Sequence, residues 1–482
     1  MSKVFVLGLS ILFAWTNVLT ASAEKAQGKL SLQECIDIAL ENNRKCTASK
    51  FAVQIAQAQH KQTLSAYWPQ VLLKSSYTYM DEDPVFIFPA KTINSVNTAY
   101  ITAWKGGPVV AGPIYSNVSS DVPEDRVKIA NRSTTFASLG LTYPLYTGGL
   151  RSAIAKQAKS GLNAAKEEAR RTDLEVVYDV KRMYYACILA RNLHRIGKDA
   201  LARLETTLAL TENLYKKGSG KVKKTDYLRN KTIVEAVRSA VAFLESNEQI
   251  AKAALINSMG LVWDAAVEPF DAEIPFNPYQ ADLKELVSSS YQFSPDWAKL
   301  KAGLEAVEAQ IDEAKSGYFP KIAITGNLNR IYNPYDYGVA SGTNEKSWAV
   351  GVGMELPIFD GFLTQNKVKE ARARLAKLEQ EKILLKEGMA LQIKHIFLRM
   401  VGAQKQQKAN EEAAVTAQEN RELNIRAYQD ELVETQDVIE AQIMESFMKA
   451  QYQKSLYDHA QAQAHLDFVV GEQIKKVLLE EK

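Results

Sequence analysis

The residues that would indicate an enzyme or a metalloprotein are scarce in this chain of 482 residues. It has three cysteines, and Cys35 and Cys46 would lie ~16 Å apart along a predicted helix, too far apart for a disulfide. Neither the cysteines nor the five scattered histidines have the spacing of metal ligands. No phosphate-binding loop and no Gly-x-Ser-x-Gly elbow is present. We therefore expect no catalytic residues, no cofactor and no metal site.

Long apolar runs are also missing. No stretch after the first residues approaches 18 consecutive apolar residues, so any part that crosses a membrane is expected to be a β-barrel rather than a helix. Charge of one sign is missing as well. Without Lys3, which lies in the predicted signal peptide, 58 Lys and Arg residues face 56 Asp and Glu residues. This near balance gives no support for nucleic-acid binding.

The first residues have the pattern of a secretory signal. Lys3 precedes an apolar run from Val4 to Trp15, and Ala21-Ser22-Ala23 supplies the small residues of a cleavage site. The run is too short for a spanning helix, so we predict a signal peptide over residues 1–23, with an uncleaved anchor as the less favoured alternative. No cysteine follows the cleavage site to carry an N-terminal lipid.

The rest of the chain contains the same unit twice. Ala66-Tyr67-Trp68-Pro69 recurs 251 residues later as Gly317-Tyr318-Phe319-Pro320, and Pro144–Gly148 recurs 213 residues later as Pro357–Gly361. The offset changes only there and once more, by two residues, before Asp226 and Asp437. We predict a first repeat over 24–262, a linker over 263–282, a second repeat over 283–476 and a tail over 477–482. The 38 extra residues of the first repeat belong to a long surface loop, about 81–132.

Each repeat is predicted to contain a helix, two strands and a long helical hairpin. From Trp348 to Leu356, large apolar residues alternate with small or polar ones, which is typical of a barrel strand with one lipid-facing side. A half-buried soluble sheet is the alternative. No proline interrupts residues 151–217 or 362–430, so helices of roughly 67 residues and ~100 Å are expected. Val176, Val180 and Cys187 fall at heptad-like spacing and predict coiled-coil packing.

Four strands are too few for a membrane barrel, because the smallest outer-membrane barrels have about eight. Four strands in lipid would leave edges with unpaired backbone groups. Several chains must therefore share one barrel, although the strands do not tell how many. The four joints between strands and helices carry Pro69, Pro144, Pro320 and Pro357 among aromatic residues, which favour the membrane–water interface.

The doubled order of elements and the joints Tyr67-Trp68-Pro69 and Pro144–Gly148 resemble the TolC-like outer membrane efflux proteins over nearly the whole mature chain. The resemblance implies a mixed fold of β-barrel and long α-helical barrel. In such a homotrimer, four strands per chain give a 12-stranded barrel and the helices a 12-helix periplasmic tunnel. It also implies an outer-membrane conduit for efflux or type I secretion, with outer-membrane lipid, a periplasmic adaptor and an inner-membrane transporter as partners. A periplasmic adaptor is the alternative function, although adaptors have one helical hairpin and this chain has two.

The same resemblance points to the tips of the two hairpins. It implies a periplasmic gate at Tyr428 and Asp226, and an acidic ring at the pore entrance formed by Asp437 and Glu440. An ordinary solvated helix end is the alternative for these two acidic residues. The gate arginine of the family is replaced here by Val433, and Lys221, Lys223 and Lys224 are candidates for the missing cation. The resemblance also places adaptor docking at four tip residues, which are Gly218, Gly220, Glu431 and Leu432.

Overall fold

The computed structural model describes residues 28–100, 113–218, 222–278, 282–335, 337 and 345–471. The predicted signal peptide and C-terminal tail lie outside these residues. The first half of the chain contains, in order, β1 (Gly28–Leu30), α1 (Leu32–Asn42), α2 (Arg44–Leu64), β2 (Gln70–Tyr79), β3 (Val85–Phe88), β4 (Lys91–Tyr100), β5 (Pro113–Val122), β6 (Asp125–Lys128), β7 (Ser133–Tyr146), α3 (Leu150–Lys216) and α4 (Lys224–Ser258).

The second half has the same order of helices and strands, except that, among its described residues, it lacks counterparts of the four strands β3 to β6. It contains, in order, β8 (Val267–Pro269), α5 (Leu283–Phe293), α6 (Pro295–Lys315), β9 (Lys321–Tyr332), β10 (Lys346–Glu355), α7 (Leu363–Gln429) and α8 (Thr435–Val470). The two long helices α3 and α7 each have 67 residues, and their ends lie within a residue or two of the predicted ones. No helix of the described chain is long and apolar enough to cross a membrane.

One compact unit consists mainly of helices, with the short parallel pair of β1 and β8, and contains the described residues of 28–61, 156–310 and 369–471. Its core confirms the predicted heptad seam of α3, because Val176, Val180 and Cys187 are all buried. Tyr184 on the same helix is fully buried, and its hydroxyl donates to a carboxylate oxygen of Asp271 at 2.6 Å. The helices are long because coiled-coil contacts continue along them without a proline.

The duplication extends to individual contacts in this helical unit. Gly260, at the end of α4, has φ +72° and lies so close to Asn43 that a Cβ on it would be 2.7 Å from the Asn43 Cα. Gly471, at the end of α8, has φ +91° and lies equally close to Ser294, 2.8 Å by the same measure. Both glycines end a helix in the left-handed region and leave room for the turn between two other helices.

The second unit, residues 62–155 and 311–368, contains an antiparallel sheet with the order β10-β9-β7-β2. The predicted apolar side of β10 is exposed, with Trp348 at 74% and Val352 at 70%. Pro144 does not close its strand as expected, because β7 continues to Tyr146 past an irregularity in register at Pro144. A proline is tolerated at such a bulge because no ladder hydrogen bond is needed from it.

The segment 81–132, which we expected to be a loop, contains two short antiparallel ribbons. In the first ribbon β3 pairs with β6, and in the second β4 pairs with β5 from Lys91↔Val122 onward. Alternating β-branched residues such as Ile93 and Val118 favour these strands. The prediction missed them because it rested on the 38 extra residues of the first repeat, and the length of an insertion does not show which of its residues pair.

Candidate functional site: the tips of two helical hairpins

Both hairpin turns lie where the sequence predicts them, and they have the same backbone. The first turn joins α3 to α4 and the second joins α7 to α8. Gly218 in the first has φ 64°, and Glu431, the equivalent residue in the second, has φ 61°. Each donates its backbone N–H to the carbonyl of the residue three before it, Tyr215 at 3.1 Å and Tyr428 at 3.2 Å. A non-glycine residue in this left-handed conformation costs roughly 1–2 kcal/mol, so the second tip retains a side chain where glycine would fit better.

The two aspartates of the predicted site also have equivalent positions. An oxygen of Asp226 accepts from the backbone N–H of Lys223 at 3.0 Å, and an oxygen of Asp437 accepts from that of Glu434 at 2.9 Å. Each aspartate therefore satisfies a free N–H at the start of its own helix, where the helix dipole also favours a negative charge. This role in the helix start is present in the single chain, whatever further role the two carboxylates have.

Tyr428 contacts its own hairpin. Its hydroxyl oxygen accepts from the Thr435 hydroxyl at 3.1 Å, which joins the end of α7 to the start of α8. In the part of the chain that the structure describes, no hydrogen bond joins Tyr428 to Asp226. In the first tip, the rings of Tyr215 and Tyr227 stack 5.8 Å apart and close the turn in a different way.

The structure connects a cation to Glu440 through one intervening side chain, a link that the sequence analysis missed. Arg229, in the second turn of α4, donates to the side-chain oxygen of Gln436 on α8. The amide nitrogen of Gln436 donates in turn to a carboxylate oxygen of Glu440 at 2.7 Å. The side chains of Arg229, Gln436 and Glu440 thus link the two hairpins. In the sequence, the one sign of this arrangement is the alignment of the two repeats. Arg229 follows Asp226 by three residues, and Glu440 follows Asp437 by three, so the two occupy equivalent positions.

The two tips carry opposite charges on their matching backbones. Lys217 and Lys223 of the first tip are exposed, and the equivalent residues of the second tip are Asp430 and Glu434, also exposed. These four side chains form no ion pair with any described residue. Leu432, at the apex of the second tip, is 76% exposed. Two residues named in the prediction, Gly220 and Lys221, lie outside the described residues.

A buried acid lies further along α8. Glu445 is fully buried, and one of its oxygens accepts from the Lys449 ammonium at 2.7 Å. The other oxygen lies 3.4 Å from the Arg421 Nε of α7 and 3.5 Å from an Arg203 nitrogen of α3. One carboxylate therefore joins three helices. Since a buried charge is tolerated only when it is paired, these contacts fix the position of α8 relative to α3 and α7.

Within the described ranges, no three His, Cys, Asp or Glu side chains are placed to hold a metal ion. The arrangement at the tips offers exposed charges, helix starts and an apolar apex, which are features of a docking or pore-lining surface rather than of a reaction centre.

Comparisons with known proteins identify the family. The sequence profile of the outer membrane efflux protein family matches residues 35–261 and 286–472. Nodulation protein T of Rhizobium leguminosarum bv. trifolii is 22% identical over 357 residues, 73% of this chain and 75% of that protein. Protein CyaE of Bordetella pertussis is 25% identical over 274 residues, 56% of this chain and 55% of that protein. The chain thus matches about half the length of most of these curated relatives.

Solved structures share the fold over nearly the whole chain. A CusC crystal structure aligns with a TM-score of 0.72 and 16% identity, covering 93% of both chains. VceC of Vibrio cholerae aligns with a TM-score of 0.68 and 17% identity, covering 92% of this chain and 96% of its own. CusC is described as forming a transmembrane channel and VceC as an outer membrane protein, and another structural neighbour, CmeC of Campylobacter jejuni, is an outer membrane channel. The family comprises channels, not enzymes. The chain therefore belongs to the outer membrane efflux protein family, as an outer-membrane channel that extends into the periplasm and not as a periplasmic adaptor.

Proposed function

We propose that the protein is the passive outer-membrane conduit of a tripartite efflux or type I secretion system, and that three copies form one 12-stranded barrel and one 12-helix tunnel. The open four-stranded sheet carries this proposal. Within the described ranges, its outer strands β2 and β10 each have one unpaired edge, and their apolar sides are exposed. In lipid such edges would leave backbone groups without partners, so the sheet needs neighbouring copies to close it.

The helices also offer an apolar surface for other copies. Leu384, Leu391 and Leu398 follow one another at seven-residue spacing along α7 and are 66%, 70% and 57% exposed. A heptad row of leucines that stays exposed in one chain is typical of a coiled-coil helix without its partner. Packing against helices of neighbouring copies would cover this row and close a helical tunnel.

At the tunnel entrance, Asp437 and Glu440 from three copies would place six carboxylates around the opening. Such a ring favours the passage of cations over anions. Tyr428 and Asp226 would form the gate of the family pattern, each held in its own tip. Arg229 would supply the cation that is absent at Val433, since it is linked to Glu440 through Gln436. This assignment replaces Lys223 and Lys224, which form no ion pair with the second tip.

The partners would be a periplasmic adaptor and an inner-membrane transporter, with outer-membrane lipid around the barrel. Gly218, Glu431 and the exposed Leu432 lie at the apex where an adaptor would dock. Because the two tips have opposite charges, an adaptor that contacts both must present acidic groups to one and basic groups to the other. Relatives are named for pyoverdine export and for toluene efflux, so the family relationship does not single out a cargo.

Single-channel conductance in planar bilayers tests the channel and its entrance together. We expect wild-type protein to form a low-conductance, cation-selective pore. The double variant Asp437→Asn/Glu440→Gln should lose cation selectivity, while the amide oxygen at position 437 can still accept from the backbone N–H of Glu434 at the helix start. Glu434→Gln, an exposed acid of the same tip, is the matched control and should change selectivity little.

The outcomes separate the two parts of the proposal. Pores whose selectivity is the same in wild type and double variant would refute the acidic entrance and leave the channel standing. Folded protein that forms no pore at all would refute the conduit itself.

A further inference from the structure

The internal duplication makes it possible to derive the contact between two copies. We infer that β10 of one copy pairs antiparallel with β2 of the next, with Val352 directly opposite the partner's Tyr77. This inference rests on the proposed assembly of several chains into one barrel. It goes beyond that proposal because it assigns the residue pairs at the interface.

The first step is that the repeats have identical strand registers. The sequence offsets relate β2 to β9 by 251 residues and β7 to β10 by 213 residues. In the first repeat, Gln70 lies opposite Thr142. The offsets convert this pair into Lys321 opposite Glu355, and the structure has that pair. The sequence alignment therefore holds residue by residue across the strands.

The second step uses the contact between the repeats. Strand β7, the last of the first repeat, pairs with β9, the first of the second, with Leu139 opposite Leu328. In a closed ring of repeats, β10 must meet the β2 of the next copy as β7 meets β9. The same offsets convert Leu139 and Leu328 into Val352 and the partner's Tyr77. The neighbouring pair, Ala137 and Arg330, becomes Val350 and the partner's Tyr79.

The faces of the strands agree with this register. Val352 and Tyr77 are 70% and 68% exposed, and each lies on the apolar side of its strand. Because successive side chains alternate between the two sides, a shift of one residue would place Val352 opposite a residue of the polar side. The derived pair puts apolar side chains together on the lipid-facing side.

The joint below the strands gives independent support. Gly148 has φ 64°, and a Cβ on it would be 2.7 Å from the Phe319 Cβ, so the two repeats touch there. Its equivalent, Gly361, has φ 66° but nothing within 4 Å. The offset of Phe319 leads to Trp68, which is 72% exposed against 48% for Phe319. Gly361 and Trp68 therefore correspond to the contacting pair Gly148 and Phe319, but do not contact each other within one chain. In the assembly, the partner's Trp68 would fill the space beside Gly361.

Disulfide cross-linking tests the register, in a background where the three native cysteines are alanine. Directly opposite strand residues have Cα atoms about 4.5–5.5 Å apart, within the range of a disulfide, whereas a residue two places along is out of reach. Val352→Cys/Tyr77→Cys should therefore give covalent dimers and trimers on non-reducing gels. Val352→Cys/Tyr79→Cys should give less than a tenth of that yield. Leu139→Cys/Leu328→Cys, opposite within one chain, should cross-link without forming multimers.

A second in-register pair, Val350→Cys/Tyr79→Cys, repeats the test in case the first double variant does not fold. Conductance of each preparation shows whether a pore has formed. Multimers from both in-register pairs support the inference. Multimers from the off-register pair instead, or none from either in-register pair in protein that forms pores, would overturn it while the channel stands. Absence of pores in the wild type would refute the channel and not the register alone.

Discussion

Replacing Glu445 by glutamine should loosen α8 from the helices around it. The carboxylate is fully buried and is the shared partner of Lys449, Arg421 and Arg203, so its neutralisation removes one acid from three cations, of which Arg421 keeps a second ion pair with Glu422. Removing one partner of a buried ion pair costs about 3–5 kcal/mol. The cations retain 38%, 17% and 29% of their side-chain exposure, and water can compensate part of this loss. We therefore expect about 3 kcal/mol, the lower end of that range.

Hydrogen exchange measured by mass spectrometry can detect this loss of stability in the individual helices. A loss of about 3 kcal/mol in the free energy of local opening raises amide exchange roughly a hundredfold. The increase should be confined to peptides of α8 near Glu445 and the facing parts of α3 and α7. Glu434→Gln, an exposed acid on the same hairpin without an ion pair, should exchange like wild type. Exchange of the Glu445→Gln variant within threefold of wild type would show that the carboxylate does not hold these helices together.

Three further outcomes follow from burial and close packing. Gly260→Ala should lower the thermal unfolding midpoint strongly, because its Cβ would be 2.7 Å from the Asn43 Cα and φ is +72°. The control Gly161→Ala, with open space around it within α3, should leave the midpoint unchanged or raise it. Burial lowers the pKa of His459 below its usual 6.5, so the unfolded chain binds a proton at a higher pH than the folded chain does. The free energy of unfolding should therefore fall as pH drops from about 7, and His459→Leu should reduce that dependence on pH. Burial raises the pKa of all three thiols to about 11 or 12, so maleimide at pH 8 should label them only after unfolding; fast labelling of the native protein would contradict the buried placement of Cys35, Cys46 and Cys187.

The long helices and both tips could be read from local sequence. An uninterrupted run without proline and a heptad row of apolar residues predict a helix wherever they occur, because both depend on residues a few positions apart. The two-residue change in the repeat offset likewise predicted the turns at Gly218 and Glu431. The positions of Asp226 and Asp437 at helix starts are also predictable from local sequence, because an acid at the third helical residue accepts from a backbone N–H three residues before it.

The contacts of Arg229 and Glu445 could not be read in the same way. Arg229 meets Gln436 207 residues later, and Glu445 meets Arg203 242 residues earlier. Many exposed arginines on these helices have a similar local sequence. Which of them faces an acid depends on how the helices are rotated and offset against one another, and no short-range pattern records that.

The sequence by itself determined the duplication, the strand–helix order and the likeness to an outer-membrane channel, because these rest on repeated motifs and on periodicity along the chain. Only the tertiary structure decided that the described parts of the segment 81–132 form paired ribbons, that Arg229 is linked to Glu440 through Gln436, and that Gly148 is covered while Gly361 is open. The reason is that these features depend on the distance between residues far apart in the chain. That distance is set by packing and strand register, which local sequence constrains only weakly.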